Sequence, residues 1–288
     1  MDFTIVTPSF NQLDYLACCI ASVADQNGIT CEHIVQDGGT PGFSEFAEEM
    51  ESRWPERPGY RRIMISEKDS GMYDAVNKGL KRAAGTILAY LNCDEQYLPG
   101  VLEKVRNIAG SEPLVDLWVG DVIVVDQKGS AICQRKVLAP SLSHVWTCHL
   151  PAFTAATFFQ RRVIDEGFFF DTSYRAAADA EWFVRLMQRR KTIQSLGFFC
   201  STFTDGGENL GLTSVAAEER KRLNRSAGPL KNWLSWLWVG LHRIRRVVSG
   251  CHRARDIETA FYLRGGMKRT PLQGKQVRST WPGRLWQK

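Results

Sequence analysis

The sequence predicts an α/β protein with a mostly parallel central sheet flanked by helices and a basic helical extension at the C-terminal end. Apolar, β-branched runs alternate with amphipathic helical segments over residues 3–91, as in parallel strands joined by right-handed crossovers. The charge is also uneven, because residues 216–288 carry 17 Lys and Arg against 4 Asp and Glu, whereas residues 1–215 carry 20 against 27. A chain of 288 residues is long enough for one large α/β domain and an appendage.

The elements of this prediction follow from the spacing of apolar residues. In the N-terminal half, strands are expected over 3–7, 33–36, 62–65 and 86–91, with helices over 13–23, 44–52 and 73–84. In the middle of the chain, two strand pieces within 114–125 and a strand over 131–137 are joined by a hairpin-like turn at 126–129, and the last strands lie within 192–204. A helix over 214–225 follows.

The stretch from residue 66 to residue 99 organises the prediction. It contains an acidic turn, an amphipathic helix and an uncharged strand that stops at Asn92, Cys93, Asp94 and Glu95. A strand that ends in oxygen ligands presents a site at the carboxyl edge of an α/β sheet. We therefore expect the Asp94 carboxylate to hold a hard cation or a sugar hydroxyl. Glu95 either contributes to this site or is a solvated surface residue.

The absence of several sequence motifs argues against some classes of protein. Neither GxGxxG nor GxxxxGK[ST] occurs, which argues against a nucleotidyltransferase with a glycine-rich phosphate loop. The eight cysteines form no CxxC pair and are expected to be reduced thiols of a cytosolic protein. No signal peptide is expected, and no apolar run reaches the roughly 18 residues that cross a bilayer. The acidic body argues against a nucleic-acid partner for the basic tail.

Four segments, taken in order, resemble the motifs of a known family. They are TPSFNQLDYL, EHIVQDGGT, SEKDSGMYDAVNKGLKRAAGTILAYLNCDEQYLP and AADAEWFVRL. Together they resemble family 2 glycosyltransferases with the GT-A fold, over residues 3–210. The resemblance implies a GT-A domain over 1–212 and an inverting reaction. Together with the basic C-terminal part, it implies a role in surface polysaccharide or glycolipid biosynthesis. Its implied partners are a nucleotide-diphosphate sugar donor, with a UDP-sugar as first choice, a saccharide or lipid-linked acceptor, and Mn²⁺ or Mg²⁺ as cofactor.

The resemblance also implies roles for individual residues. The residues expected beside the nucleotide are Thr7, Pro8, Phe10, Asp37, Asp69 and Asn92. Asp94, at the end of the family's Asp-x-Asp motif, is implied to bind the cation that bridges the diphosphate. Asn92 replaces the usual first carboxylate of that motif, and its amide oxygen accepts hydrogen bonds but brings no charge. This departure keeps a non-catalytic nucleotide-sugar-binding homologue open as an alternative.

Asp179 is the implied catalytic base, in the segment where the family usually has Glu-Asp and this chain has Ala178 and Asp179. Such a base takes a proton from the acceptor hydroxyl. The cation neutralises the charge that develops on the departing diphosphate. A plain helix N-cap is the competing interpretation of Asp179, because any Asp at a helix start is favoured by the helix dipole. For Asp37, an ordinary turn after a strand is the competing interpretation.

Other polar residues have two open interpretations each. Asp121 faces the donor or stabilises a turn, and Arg135 and Lys136 meet an anionic donor or acceptor or are solvated. His144 and His149 are interpreted as loop or acceptor-pocket residues, with a catalytic or metal-binding role as the alternative.

The C-terminal part is predicted to be a helical extension over 213–267, followed by a basic, poorly ordered tail over 268–288. Residues 230–248 combine an apolar helical stripe with three tryptophans at one end and an arginine cluster at the other. This pattern is typical of a helix that lies in the plane of an anionic membrane surface. A helix packed on the body and a dimer contact are the competing interpretations. The expected location is cytoplasmic, and peripheral on the inner face of the cell membrane where the helix binds lipid.

The segment 205–211 resembles the family's loop that closes over the donor, or is a plain connection.

Overall fold

The computed structural model describes residues 1–205 and 213–281. Its N-terminal part alternates strand and helix as predicted. The elements are β1 (Phe3–Ser9), α1 (Leu13–Ala24), β2 (Cys31–Asp37), α2 (Phe43–Arg53), β3 (Tyr60–Ser66), α3 (Met72–Arg82) and β4 (Ile87–Tyr90). β1 pairs in parallel with β2 on one side and with β4 on the other, and β2 pairs in parallel with β3. The predicted parallel pairing of these strands is therefore confirmed.

The middle of the chain completes the sheet with mixed pairing. Its elements are β5 (Glu95–Tyr97), α4 (Val101–Ser111), β6 (Leu117–Val125), β7 (Ala131–Arg135), α5 (Leu142–Thr147), β8 (Thr157–Gln160), α6 (Arg162–Asp165), α7 (Ala178–Gln188) and β9 (Ile193–Thr204). The order is β3-β2-β1-β4-β8-β6-β9-β5, and β7 pairs with β6. β8 is antiparallel to both β4 and β6, whereas β9 is parallel to β6. The α/β prediction is confirmed, with the parallel pairing concentrated in the first half.

The core lies on both faces of the sheet, because successive side chains of a strand point to opposite faces. In β6, Trp118 belongs to one apolar cluster and its neighbours Leu117 and Val119 belong to the other. In β8, Phe158 and Phe159 divide in the same way. These central strands are apolar on both faces because helices, or residues 255–277 near the C-terminal end, cover each side.

The two strand pieces expected around Gly120 form one long strand, β6. The absence of a side chain at Gly120 lets β6 lie close to β9 at this point. A Cβ atom at this position would lie 2.3 Å from Cys200 Sγ, so a side chain here would push β6 and β9 apart. The register between these strands shifts on either side of Asp121. Asp121 is buried and accepts a hydrogen bond from the Val137 backbone N–H at 2.7 Å, which is the structural role and not the donor-facing one.

The C-terminal part contains α8 (Ser214–Ser226), α9 (Pro229–Trp233), α10 (Ser235–Val248), β10 (Arg255–Tyr262) and β11 (Arg269–Val277). The expectation of a helical extension over 213–267 holds only to the end of α10, because β10 is a strand. The expectation of a poorly ordered tail from residue 268 is wrong for β11, which pairs antiparallel with β10. Ile257, Phe261 and Leu272 of this hairpin are buried in the core. Arg269 forms a bidentate ion pair with Asp25, at 2.6 and 2.7 Å. The basic composition of residues 268–288 gave no indication in the sequence that part of this segment makes buried contacts. Within the described residues, no helix combines the length and the apolar character needed to span a bilayer.

Candidate active site

A large cavity opens at the carboxyl ends of β1 and β4. β1 lies between β2 and β4, so the order of the strands along the sheet reverses at β1. Open α/β sheets bind ligands at the carboxyl ends of the strands beside such a reversal. The cavity has a volume of about 1920 Å³. Ordinary small-molecule pockets measure roughly 300–1,000 Å³, so this cavity has room for a ligand of unusual length or for two ligands.

Asp94 and Asp179, far apart in the sequence, both line this cavity. Asp94 lies in the turn after β4, and Asp179 lies in the first turn of α7. Burial raises the pKa of each carboxyl group above its ordinary value. The structure therefore brings the two predicted carboxylates to one site, each in a setting that penalises its charge until a cation or a proton arrives.

Aromatic packing from α3 positions the helix that carries Asp179. The Asp179 backbone N–H donates to Tyr73 Oη at 3.4 Å, and the Tyr73 ring stacks on Phe170 with centroids 5.5 Å apart. Phe170 in turn stacks on Trp182 of α7 at 4.8 Å. The Asn77 side chain holds the Phe170 backbone through two hydrogen bonds, at 2.8 and 3.0 Å. The central block and the Asp179 helix are thus one packed unit.

Glu219 of α8 fixes the loop that leads into α7, and sequence analysis missed it. Its carboxylate accepts the backbone N–H groups of Arg175, Ala176 and Ala177 at 2.6, 2.9 and 3.0 Å. No sequence signal distinguishes Glu219 from a solvated residue of an amphipathic helix, because its partners are contributed by another part of the fold.

The turn after β4 is held by Glu95, which is buried and not a solvated surface residue. Its Oε2 accepts the Asn92 backbone N–H at 2.9 Å. Burial, and then the charge of Asp94, raise the pKa of Glu95 well above its ordinary range. Asn92 lines the cavity, and its Oδ1 atom is buried without a hydrogen-bond partner among the described residues. Asn92 therefore offers an unused acceptor beside Asp94.

These oxygens fit a divalent cation that is shared with a ligand. Mg²⁺-like ions bind one or two carboxylates together with substrate phosphates, and the Asp94 carboxylate and the unpaired Asn92 amide oxygen are such hard ligands. Across the described parts of the chain, no group of three or more His, Cys, Asp or Glu side chains is arranged to hold a metal by itself. A cation at Asp94 would consequently need further oxygens, from a ligand such as a phosphate or from water, to complete its coordination.

The residues predicted beside the nucleotide divide into two groups. Pro8, Phe10, Asp69 and Asn92 line the cavity. Phe10 leaves 59% of its surface exposed, so its ring is available to stack on a flat ligand. Thr7 does not line the cavity, because its side chain is fully buried and its Oγ1 hydrogen-bonds to His33 Nε2 at 2.8 Å.

Asp37 also lies away from the cavity lining, and its carboxylate is used within the protein. It accepts hydrogen bonds from the backbone N–H groups of Gly39 and Thr40 at 2.9 and 2.7 Å, and from Ser66 Oγ at 2.8 Å. This geometry favours the ordinary strand-exit turn over a direct nucleotide contact. The turn nevertheless borders the site, since a Cβ on Gly38 would lie 2.9 Å from Asp69 Oδ2.

We expect Asp37→Ala to destabilise the fold and to leave no cavity-lining group missing. The change removes the acceptor of several buried hydrogen bonds, so the free energy of unfolding should fall by about 3 kcal/mol. Urea denaturation measures this loss. Glu48→Ala on the exposed face of α2 is the matched control and should change stability by less than about 0.5 kcal/mol. Equal stability of the two variants would contradict the structural role of Asp37.

The far half of the cavity is formed by later elements of the chain. His149 and Arg135 line it, together with Cys148 before His149 and Val239 of α10. His149 agrees with its interpretation as a pocket residue, whereas His144 is buried. Its ring stacks on His242 of α10 with centroids 4.3 Å apart. We call this region, lined by Arg135, Cys148, His149, Arg220 and Val239, the far half.

Three further expectations concern Lys136, the predicted donor-closing loop and the cysteines. Lys136 does not line the cavity, because it is buried and its Nζ donates to the Arg253 backbone carbonyl at 2.7 Å. The predicted donor-closing loop lies outside the described residues, apart from Asp205. All eight cysteines are free thiols, as the spacing predicted.

Known proteins resemble this chain in sequence. A family model described as "Glycosyl transferase family 2" matches residues 4–169. The PGL/p-HBAD biosynthesis glycosyltransferase of Mycobacterium bovis (strain BCG / Pasteur 1173P2) is 32% identical over 123 residues, which are 42% of this chain and 47% of that protein. The putative teichuronic acid biosynthesis glycosyltransferase TuaG of Bacillus subtilis (strain 168) is 34% identical over 102 residues, covering 35% and 39%. The matches thus span less than half of these relatives.

Solved structures resemble it in fold. S. aureus TarS 1-349 in complex with UDP-GlcNAc matches with a TM-score of 0.60 at 16% identity, covering 77% of this chain and 64% of that chain. The mannosyltransferase PcManGT from Pyrobaculum calidifontis in complex with GDP-Man and Mn²⁺ matches with a TM-score of 0.56 at 16% identity, covering 76% and 60%. At this identity the likeness concerns the fold alone, and it confirms the predicted GT-A type. Because the sequence model matches more than half of the chain, this protein belongs to glycosyltransferase family 2.

Proposed function

We propose that this protein is an inverting glycosyltransferase that moves a sugar from a nucleotide-diphosphate sugar to a hydroxyl of a saccharide or lipid-linked acceptor, with a divalent cation. One observation carries the proposal: Asp94 and Asp179 line the same cavity as Phe10 and Asp69. Two comparisons support it. The two sequence relatives reported above have names that refer to glycan biosynthesis, and the structural neighbours were solved with UDP-GlcNAc or with GDP-Man and Mn²⁺.

On the donor side, Phe10 would stack on the nucleotide base and Asp69 would accept a hydrogen bond from a sugar hydroxyl. Asp94 would hold Mn²⁺ or Mg²⁺ with the diphosphate, and the Asn92 amide oxygen would accept from a ribose hydroxyl or join the cation. When bound, the cation neutralises charge on the departing diphosphate.

On the acceptor side, Asp179 would take the proton from the acceptor hydroxyl. That oxygen attacks the anomeric carbon from the face opposite the departing diphosphate, so the configuration at this carbon inverts. Burial raises the pKa of Asp179, which makes its carboxylate a stronger base than a solvated one. Tyr73 and Glu219 would act as positioning residues, because they fix the start of α7 and the loop before it.

A donor panel tests this function. UDP-, GDP- and dTDP-sugars are incubated with the full chain, with and without Mn²⁺, and release of the nucleoside diphosphate is measured. We expect Mn²⁺-dependent release from at least one donor, and NMR of the transfer product should show an inverted anomeric centre. Tight binding of a donor without release or transfer would instead favour the non-catalytic homologue that Asn92 left open.

The helices α9 and α10 supply the proposed link to a membrane. Their outer face leaves apolar side chains exposed: Leu230, Trp233, Trp236, Leu241, Ile244, Val247 and Val248. The opposite face of α10 packs on the body, since Val239 lines the cavity and His242 stacks on His144. An in-plane membrane helix would therefore place the far half of the cavity next to the lipid surface, within reach of a lipid-linked acceptor.

We expect the full chain to sediment with anionic vesicles, and a triple variant Trp233→Ser, Trp236→Ser, Ile244→Ser to do so at least about 10-fold more weakly. Each buried apolar side chain contributes roughly 1.5–3 kcal/mol of transfer free energy, so even partial insertion gives an effect of this size. Leu114→Ser is the matched control, because Leu114 is exposed on another part of the surface. Unchanged vesicle binding of the triple variant would rule out lipid contact through this face and favour a dimer contact.

A further inference from the structure

We propose that the far half of the cavity contains an oxyanion-binding subsite formed by Arg135, Arg220 and His149. The acceptor would then carry a phosphate or carboxylate group close to the hydroxyl that receives the sugar. This inference rests on the proposed function and names the chemical class of its second substrate.

Arg135 is a cation at the cavity wall that has no counter-ion among the described residues. It is the last residue of β7, and its Nε atom is buried without a hydrogen-bond partner. In the parts of the chain that the structure describes, no carboxylate forms an ion pair with its guanidinium group. Burial, and then the like charge of Arg246, lower its pKa. An unpaired charge in such a place is costly, and a bound anion would remove that cost.

Arg220 adds a second positive charge at the same end of the cavity. It lies on α8 and lines the cavity, and its side chain makes no hydrogen bond or ion pair within residues 1–205 and 213–281. Its positive charge opposes the burial that raises the pKa of Asp179, and it adds to the burial and the neighbouring histidines that lower the pKa of His149. Arg220, Asp179 and His149 all line this cavity, in which an acceptor group would have to lie.

His149 adds a neutral donor to the two arginines. Burial, and then the neighbouring histidines, Arg220 and Arg135, lower its pKa to about 3, so its imidazole is uncharged at neutral pH. A neutral imidazole still donates one N–H. Guanidinium groups match carboxylate and phosphate oxygens with paired donors, so the three side chains together suit an oxyanion better than a neutral sugar.

The subsite is separate from the place proposed for the donor diphosphate. Arg135 ends β7, which pairs with β6 and does not border β1 or β4. Phe10, Asn92 and Asp94, in contrast, follow β1 and β4. The diphosphate would be neutralised by the cation at Asp94, which leaves the arginines of the far half for a second anion.

Calorimetric titration of the full chain tests the subsite without needing turnover. The probes are sn-glycerol 1-phosphate and D-glucuronate, with glycerol and D-glucose as their neutral counterparts, each added with and without saturating UDP and Mn²⁺. We expect at least one anion to bind at least about 10-fold more tightly than its neutral counterpart, and to bind equally well when UDP is present. The stronger anion identifies the group as phosphate or carboxylate.

Substitutions connect this binding to the named residues. Arg135→Gln and Arg220→Gln should each weaken anion binding by at least about 10-fold. Arg243→Gln removes the same charge from the exposed side of α10 and should leave it unchanged. Thermal melting checks each fold, and Arg220→Gln, on the partly exposed α8, carries the test if Arg135→Gln unfolds. Equal binding of neutral and anionic probes, competition with UDP, or unchanged binding in the arginine variants would overturn the subsite.

Failure of the subsite and failure of the proposed function give different results. Donor turnover with no anion binding would remove the subsite and leave the glycosyltransferase proposal in place. Anion binding that depends on the two arginines, in a protein that neither binds nor cleaves any donor, would support the subsite as an anion site and remove the proposed function.

Discussion

Asp179→Asn is expected to lower kcat for sugar transfer by about 10²–10⁴-fold, the usual contribution of a positioned general base. The amide has nearly the same shape as the carboxylate and its oxygen can still accept the Ala180 backbone N–H. It cannot take a proton from the acceptor, however, so donor binding should persist while transfer is lost. Steady-state kinetics with the donor found in the panel, together with a nucleotide-binding titration, measure both quantities.

The same variant should be at least as stable as the unmodified protein at neutral pH. Burial raises the folded-state pKa of Asp179 above its unfolded value, so its favourable contribution exists at low pH and is lost as the pH rises through the folded-state pKa. At pH 7 the burial of this carboxyl group thus destabilises the fold, and the amide removes that penalty.

Glu181→Gln is the matched control for Asp179→Asn. Glu181 lies on the same helix, where it forms an ion pair with Arg185 at 2.7 Å, and it does not line the cavity. We expect this variant to keep kcat within about threefold, since an ion pair of this kind affects stability more than chemistry. Near-normal turnover by Asp179→Asn would eliminate Asp179 as the base.

Asp94→Asn is expected to reduce Mn²⁺-supported turnover by at least about 10²-fold, because cation stabilisation of a leaving group is worth several kcal/mol. Asn92 already contributes an amide, so the variant would leave two amides and no carboxylate in the motif. The Mn²⁺ concentration for half-maximal activity should rise strongly, and a Mn²⁺ titration of activity measures this shift.

Asp165→Asn controls for the loss of one negative charge. Asp165 is exposed on α6, where it pairs with Arg161 at 3.7 Å, so its removal should leave the Mn²⁺ titration unchanged. An unchanged titration in Asp94→Asn would mean that the cation is held elsewhere.

The sequence predicted the parts of this protein that depend on local pattern. The run from β1 to β4 and the exit of β4 at Asp94 followed from apolar periodicity and from a strand that stops at polar residues. The motifs also pointed to Asp179, although only tertiary packing through Tyr73 and Phe170 brings it to the cavity that Asp94 lines.

The remaining features depend on contacts between distant segments. Asp37 follows a strand just as Asp94 does, and only its hydrogen bonds to Gly39, Thr40 and Ser66 distinguish a structural carboxylate from an available one. In the sequence, Arg269 is one of many basic residues near the C-terminal end, and only the structure shows that it pairs with Asp25. A linear pattern reports which residues are polar but not which of them already have partners.

The central claim is that one cavity holds a cation at Asp94 and a base at Asp179 on opposite sides of the sugar-diphosphate bond. The position of Mn²⁺ tests it most directly, located by anomalous scattering in crystals of the full chain with Mn²⁺ and the nucleoside diphosphate that binds most tightly. We predict Mn²⁺ about 2.1 Å from a carboxylate oxygen of Asp94, bound also to the diphosphate, with the terminal phosphate facing Asp179 across the cavity. Mn²⁺ bound away from Asp94, or a nucleotide bound outside this cavity, would contradict the claim.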